Sequence, residues 1–220
     1  MKQALFIVLI ILASQFAKAQ DQKLELGLEG GPNISGVTGK NMPENAGPSY
    51  DYSFGFVAQY NINDRLAIKA SINNELKGYS QIFGFVTNPA SPNPFVNYKS
   101  YTSLQYITLP ILAKYNFGHK RMFFVNAGPY FAYRVGTPSR YNFADTTGKL
   151  HTFYDNDNEK NNTLDIGLSA GIGLEMPLSN NLIFNIEVRY NQGFLNADNL
   201  GAYTFENESA NLLIGLRYKI

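Results

Sequence analysis

No cysteine occurs among the 220 residues, so disulfide bridges and cysteine-ligated metal centres are excluded, and rigidity must come from backbone hydrogen bonding and packing. Histidine is nearly absent too, represented by His119 and His151 alone. Charge is sparse and balanced, with 18 Lys and Arg against 17 Asp and Glu for a net +1. A chain so balanced lacks the basic face that an electrostatic nucleic-acid binder requires. Long apolar runs are missing as well: after the N-terminal segment, nothing approaches the ~20 apolar residues of a transmembrane helix. Aromatics and glycine are plentiful, at 15 Tyr, 16 Phe and 19 Gly.

Residues 1–19 have the form of a secretory signal. Lys2 supplies the positive start, Ala4 to Ala13 an apolar run, and Ala17-Lys18-Ala19 a small-x-small cleavage site before Gln20. The expected mature chain is one domain, 20–220, exported from the cytoplasm. An uncleaved anchor is the alternative. Without a cysteine after the cleavage site, no lipoprotein anchor is expected.

Beyond the signal, apolar and polar residues alternate with a period of two, the mark of strands with one apolar face. The C-terminal pair is the clearest. Leu182, Phe184, Ile186, Val188 and Tyr190 oppose Asn185, Glu187, Arg189 and Asn191, and Leu212, Ile214, Leu216, Tyr218 and Ile220 oppose Asn211, Arg217 and Lys219. Six further segments follow the rule, at about 23–33, 52–62, 65–78, 102–117, 121–135 and 163–176. Alternation alone does not say whether the apolar face points inward, as in a soluble lipocalin-like barrel, or outward to lipid. Export and connection lengths favour lipid. The joints at 61–64, 118–120 and 177–181 are short and rich in turn formers, whereas those at about 34–51, 79–101, 136–162 and 195–208 are long. Short and long joints alternate strictly, as in an eight-stranded, antiparallel, up-and-down transmembrane β-barrel with periplasmic turns, extracellular loops and both termini periplasmic.

The polar faces then line the lumen. They carry six acids (Glu25, Glu29, Glu75, Asp165, Glu175, Glu187) and six bases (Lys69, Lys114, Arg134, Arg189, Arg217, Lys219). Such matching suits a closed interior, because unpaired buried charge is costly. Eight strands enclose a space that side chains can fill, so a wide diffusion pore is not expected. Arg134, Arg189 and Arg217 are expected to bridge the carboxylates across the interior. Gly167, Gly171 and Gly173 leave room for long neighbours such as Arg189; a dinucleotide-binding loop is excluded because no helix follows them.

Several phrases resemble the PorT-like family of outer-membrane barrels, related in architecture to OmpA and OmpX. They are Tyr106 to Tyr115 (YITLPILAKY), Ala127-Gly128-Pro129-Tyr130, Asp165 to Glu175 (DIGLSAGIGLE) and Tyr190 to Phe194 (YNQGF). The resemblance covers nearly all of 20–220. It implies an outer-membrane location, surrounding outer-membrane lipid and folding by the barrel-assembly machinery. It implies little about activity, since the family is a scaffold, one named member of which assists protein secretion. Such barrels usually end in an aromatic residue, whereas this chain ends in Ile220.

No spacing defines a catalytic, cofactor-binding or metal-ligating set. His119 sits in a basic turn. His151 lies in the longest loop near Ser139, Asp145 and Asp155, which raises a lipid-modifying enzyme as one alternative, although nucleophilic catalysis needs these groups in one geometry. Asp155 to Glu159 alternates oxygen ligands as a calcium loop begins, but lacks its glycine and distal glutamate; a solvated acidic loop is the competing reading. The Pro-rich stretch 88–95, flanked by Tyr79, Phe83, Phe85, Tyr98 and Tyr101, suits either an interfacial aromatic girdle or a contact with an envelope protein or glycan. The expected function is non-catalytic: a side-chain-filled barrel presenting extracellular loops as an envelope scaffold or binding surface, with a narrow porin-like channel as the other alternative.

Overall fold

The computed structural model describes residues 23–42, 45–86, 95–118, 122–144, 150–156, 163–197 and 204–220; the expected signal segment lies outside them. The described chain is all strand and turn. Eight strands form the barrel: β1 (Leu24–Asn41), β2 (Gly47–Asn61), β3 (Leu66–Val86), β4 (Phe95–Phe117), β5 (Phe123–Gly136), β8 (Leu164–Pro177), β9 (Leu182–Asn196) and β10 (Thr204–Lys219). Each pairs antiparallel with its ring neighbours, in the order β3-β2-β1-β10-β9-β8-β5-β4, and β4 closes back on β3. Closure gives each of the eight described barrel strands a partner on both sides.

The apolar faces point outward. Phe56, Ile72, Ile172 and Tyr218 are exposed on the outer wall, whereas Arg217, Arg189 and Glu187 are fully buried inside it. Aromatic residues ring both margins of this apolar band. Tyr52 and Tyr60 stand eight residues apart on β2, roughly 20 Å along the barrel axis at ~3.3 Å per residue and ~40° tilt, close to the height of an outer-membrane hydrocarbon band. Tyr115 and Phe117 stack at one margin with Phe123, at centroid separations of 6.4 and 6.0 Å.

The tight joints are built by local side-chain bonds. Asn63 Oδ1 accepts from the backbone N–H groups of Arg65 and Leu66, both at 2.9 Å. Ser179 Oγ accepts likewise from Leu182 N at 3.1 Å. These are the Asx- and Ser-turn geometries that short hairpins favour.

Two expectations need correction. The strands run well past the alternating segments at the long-joint end: β3 extends to Val86 rather than 78, β4 begins at Phe95 rather than 102, and β10 begins at Thr204 rather than 211. In these extensions the ladder continues through residues that do not keep a strict apolar-polar period to reveal it. The stretch 136–162 is also not one loop. It contains β6 (Pro138–Ala144) and β7 (Leu150–Asn156), a hairpin whose β6 pairs with the projecting part of β4, Tyr98 opposite Phe143 through Thr102 opposite Ser139.

One seam in the wall is closed from a third strand. The β2–β3 ladder lapses between Pro48 and Ser53. There Asn33 Nδ2 and Ser35 Oγ of β1 donate to the β3 carbonyls of Leu76 (2.5 Å) and Gly78 (3.2 Å), supplying partners the ladder does not.

Candidate functional site

Because strand residues alternate faces, every second residue of the eight strands is delivered to one narrow interior, and these residues form stacked layers. Nearest the tight turns, Arg217 on β10 meets Glu25 on β1 at 3.0 Å and donates to Asn185 at 2.9 Å. Arg217 and Lys114 of β4 converge on one oxygen of Glu175. Lys114 also donates to Gln59 at 2.9 Å and stands 4.3 Å from the centre of the Phe124 ring.

The next layer spans the whole lumen. Strands β3 and β9 stand opposite one another in the ring, and Lys69 of β3 reaches Glu187 of β9 at 2.5 Å. Its ammonium also contacts Glu29 of β1 at 2.7 Å. Arg189 completes the square, with Nε 2.7 Å from Glu187 and Nη1 3.0 Å from Glu29. Asn126 and Asn73 donate to the same two carboxylates at 3.0 and 3.2 Å. Two acids and two bases thus neutralise one another with water excluded, an arrangement in which loss of one partner strands the rest.

Towards the long joints, Glu75 accepts from Ser209 (2.7 Å), Asn211 (3.0 Å) and Asn191 (3.1 Å), the last again crossing from β9 to β3. Above it Lys77 binds Asp165 at 3.0 Å, with its ammonium 4.2 Å from the ring centre of Tyr130 and 5.6 Å from that of Tyr106. An apolar layer covers this pair: Leu104, Tyr106, Tyr130, Ala132, Ala197 and Phe205 are buried together, and Tyr79 meets Phe205 edge-on at 5.7 Å.

The sequence placed the six acids, Lys69, Lys114, Arg189 and Arg217 in this interior, and the structure brings them together. Lys219 is a correction: it stands half-exposed at the mouth, and Lys77 takes its place among the buried bases. Arg134 is a second correction. It is buried, but among the described residues its Nη1 has no hydrogen-bond partner and no carboxylate bridges it. The glycines are a third. The space at Gly167 is taken by Tyr130, that at Gly173 by Phe124, and that at Gly171 by Asn126 and Glu187, rather than by Arg189. Inward Phe124, Tyr130 and Tyr106 were missed because aromatic residues suggested lipid. Their parity with Asn126, Arg134 and Lys114 was the available signal.

The hairpin register separates the groups around His151. Ser139 lies opposite Asp155, but His151 lies opposite Phe143. Four residues of strand separate their backbone positions by roughly 13 Å; Asp145 lies outside the described residues. So do His119, residues 157–159 of the calcium-like stretch and 88–94 of the Pro-rich stretch. Among the described residues no cluster of three or more His, Asp or Glu could hold a metal ion.

A closed antiparallel ring with an apolar outer belt, aromatic margins and a charge-filled interior defines an outer-membrane β-barrel. The chain belongs to the outer membrane protein beta-barrel domain family, whose model matches residues 14–199. It therefore resides in the outer membrane, surrounded by its lipid. It is similar to the Neisserial surface protein A (16% identity, 90% of this chain and 97% of that one, TM-score 0.43) and to OprG from Pseudomonas aeruginosa (14%, 89% and 95%, 0.44). It is also similar to Ail of Yersinia pestis, solved with the heparin analogue sucrose octasulfate (11%, 90% and 99%, 0.36). No curated protein matches the chain.

Proposed function

We propose that this protein is a non-conducting envelope scaffold of the PorT-like type, whose barrel anchors the long-joint end as an extracellular binding surface for an envelope protein or glycan. In this reading residues 1–19 are removed on export, the barrel-assembly machinery inserts 20–220, and the tight turns and both termini face the periplasm. The observation that carries it is the filled lumen: Lys69 and Glu187 meet across the full width of the barrel, and an apolar layer seals the space above. A narrow channel would need a continuous wet path past these residues. A lipid-modifying enzyme would need His151 beside Ser139 and Asp155, and the hairpin register sets it about four residues away.

The absence of native cysteine makes the test direct. Thr152→Cys in the hairpin and Asn63→Cys in a tight turn are exposed to a membrane-impermeant maleimide on intact cells. Labelling of position 152 alone supports the scaffold orientation; labelling of position 63 alone inverts it. Crosslinking from position 152 then identifies the partner.

A further inference from the structure

We infer that Arg134 forms an anion-binding site at the long-joint mouth of the lumen, taking a single oxyanion group of the carboxylate, sulfate or phosphate class. This goes beyond the scaffold reading and does not depend on which way the barrel faces. Each of the other buried bases is matched: Lys69 and Arg189 by Glu29 and Glu187, Lys77 by Asp165, Lys114 and Arg217 by Glu175. Arg134 alone among these buried bases lacks a carboxylate among the described residues. Its side chain points into the same interior, the residue is 7% exposed, and Nη1 is without a hydrogen-bond partner.

A guanidinium cannot escape burial by losing its proton, so its orphaned Nη1 gains most from a charged acceptor brought into direct contact. The neighbouring acids do not supply one. Glu75 turns its Oε1 to Ser209, Asn211 and Asn191 on the opposite side, and among the described residues it forms no ion pair with Arg134. Asp165 faces Ala132, two residues along β5 from Arg134; its Oδ2 accepts from Lys77 and Tyr130, and its Oδ1 has no partner and is directed toward Gly193 of β9, so it forms no bridge to Arg134. Arg134 is the last inward base before β5 ends at Gly136, and Tyr106 lies beside it in register on β4. The floor beneath is the apolar layer containing Ala132 and Tyr106, where a planar fork of N–H donors holds an oxyanion more strongly than in water.

The test is a nitrogen-15 NMR titration of the Arg134 Nε–H signal in the purified barrel in uncharged micelles, with ionic strength held constant by chloride. Inorganic phosphate, sulfate and acetate are added separately. At least one should shift the signal saturably, with the Arg217 and Arg189 signals unmoved, and Arg134→Gln should abolish the oxyanion-dependent rise in the urea midpoint while Lys219→Gln retains it. Should Arg134→Gln fail to fold, the titration of the parent protein decides alone. No saturable shift with any of the three, or an Arg134 signal that moves on Asp165→Asn as an internal bridge would, overturns the inference.

Discussion

Glu187→Gln tests the interior most sharply because it removes a charge while keeping the side chain's size. Glu187 accepts from Lys69 at 2.5 Å, Arg189 at 2.7 Å and Asn126 at 3.0 Å, and it is fully buried. After the substitution Lys69 and Arg189 share only Glu29, leaving one buried cation without a counter-charge. Breaking a buried pair in this way costs about 3–5 kcal/mol, against ~0–1 for an exposed pair. At a urea slope of about 1–3 kcal/mol/M the midpoint should fall by roughly 1–5 M. Unfolding is followed from detergent micelles by the heat-dependent gel shift or by tyrosine fluorescence, since the chain has no tryptophan. Adding Lys69→Met restores the balance, so the double variant should be more stable than the sum of the single losses implies. Glu208→Ala, which removes an acceptor for the exposed Tyr190 hydroxyl at 2.9 Å, serves as the surface control and should cost about 1 kcal/mol or less. If Glu187→Gln is as mild as Glu208→Ala, the interior charges are screened by water and the filled-lumen reasoning is wrong.

Ile186→Arg, on the lipid-facing side of β9, should cost about 2–4 kcal/mol near the midplane and impair insertion; parent-like stability in micelles and vesicles would invert the inside-outside assignment. Deleting 139–155 removes most of the β6–β7 hairpin, which among the described residues pairs with the barrel through the projecting part of β4, and should leave a heat-modifiable band. Loss of that band would make the hairpin part of the barrel's stability. Gly167→Leu would bring an added Cβ into the Gln192 carbonyl oxygen of β9 and to 2.6 Å from the Tyr130 ring, and should destabilise by at least about 1–3 kcal/mol; an unchanged urea midpoint would show that the close approach of β8 to β9 at this point does not constrain the barrel.

The barrel was readable from sequence wherever lipid imposed a period of two. Phe54, Phe56, Ala58 and Tyr60 on β2, and Leu212 through Tyr218 on β10, needed no other information, and their polar partners Gln59 and Arg217 fell inside as a result. The upper strands were not readable, because stretches such as Gln81 to Val86 do not alternate apolar and polar residues. Lys77 shows the cost of stopping early: it continues the series Ser71, Asn73, Glu75, but lies between Leu76 and Tyr79 where the outward apolar rhythm fades. Which acid meets which base could not be read at all. Lys69 and Glu187 are 118 residues apart and meet only because the ring places β3 opposite β9. The unmatched state of Arg134 likewise depends on distances that parity does not contain.

The most direct measurement of the filled interior is single-channel recording of the purified barrel in planar bilayers. With Lys69 and Glu187 in contact across the lumen and the Tyr106–Phe205 layer above them, a closed baseline with no sustained current is expected in symmetric salt. Steady ohmic conductance from the folded protein would contradict a sealed interior and make this chain a narrow pore.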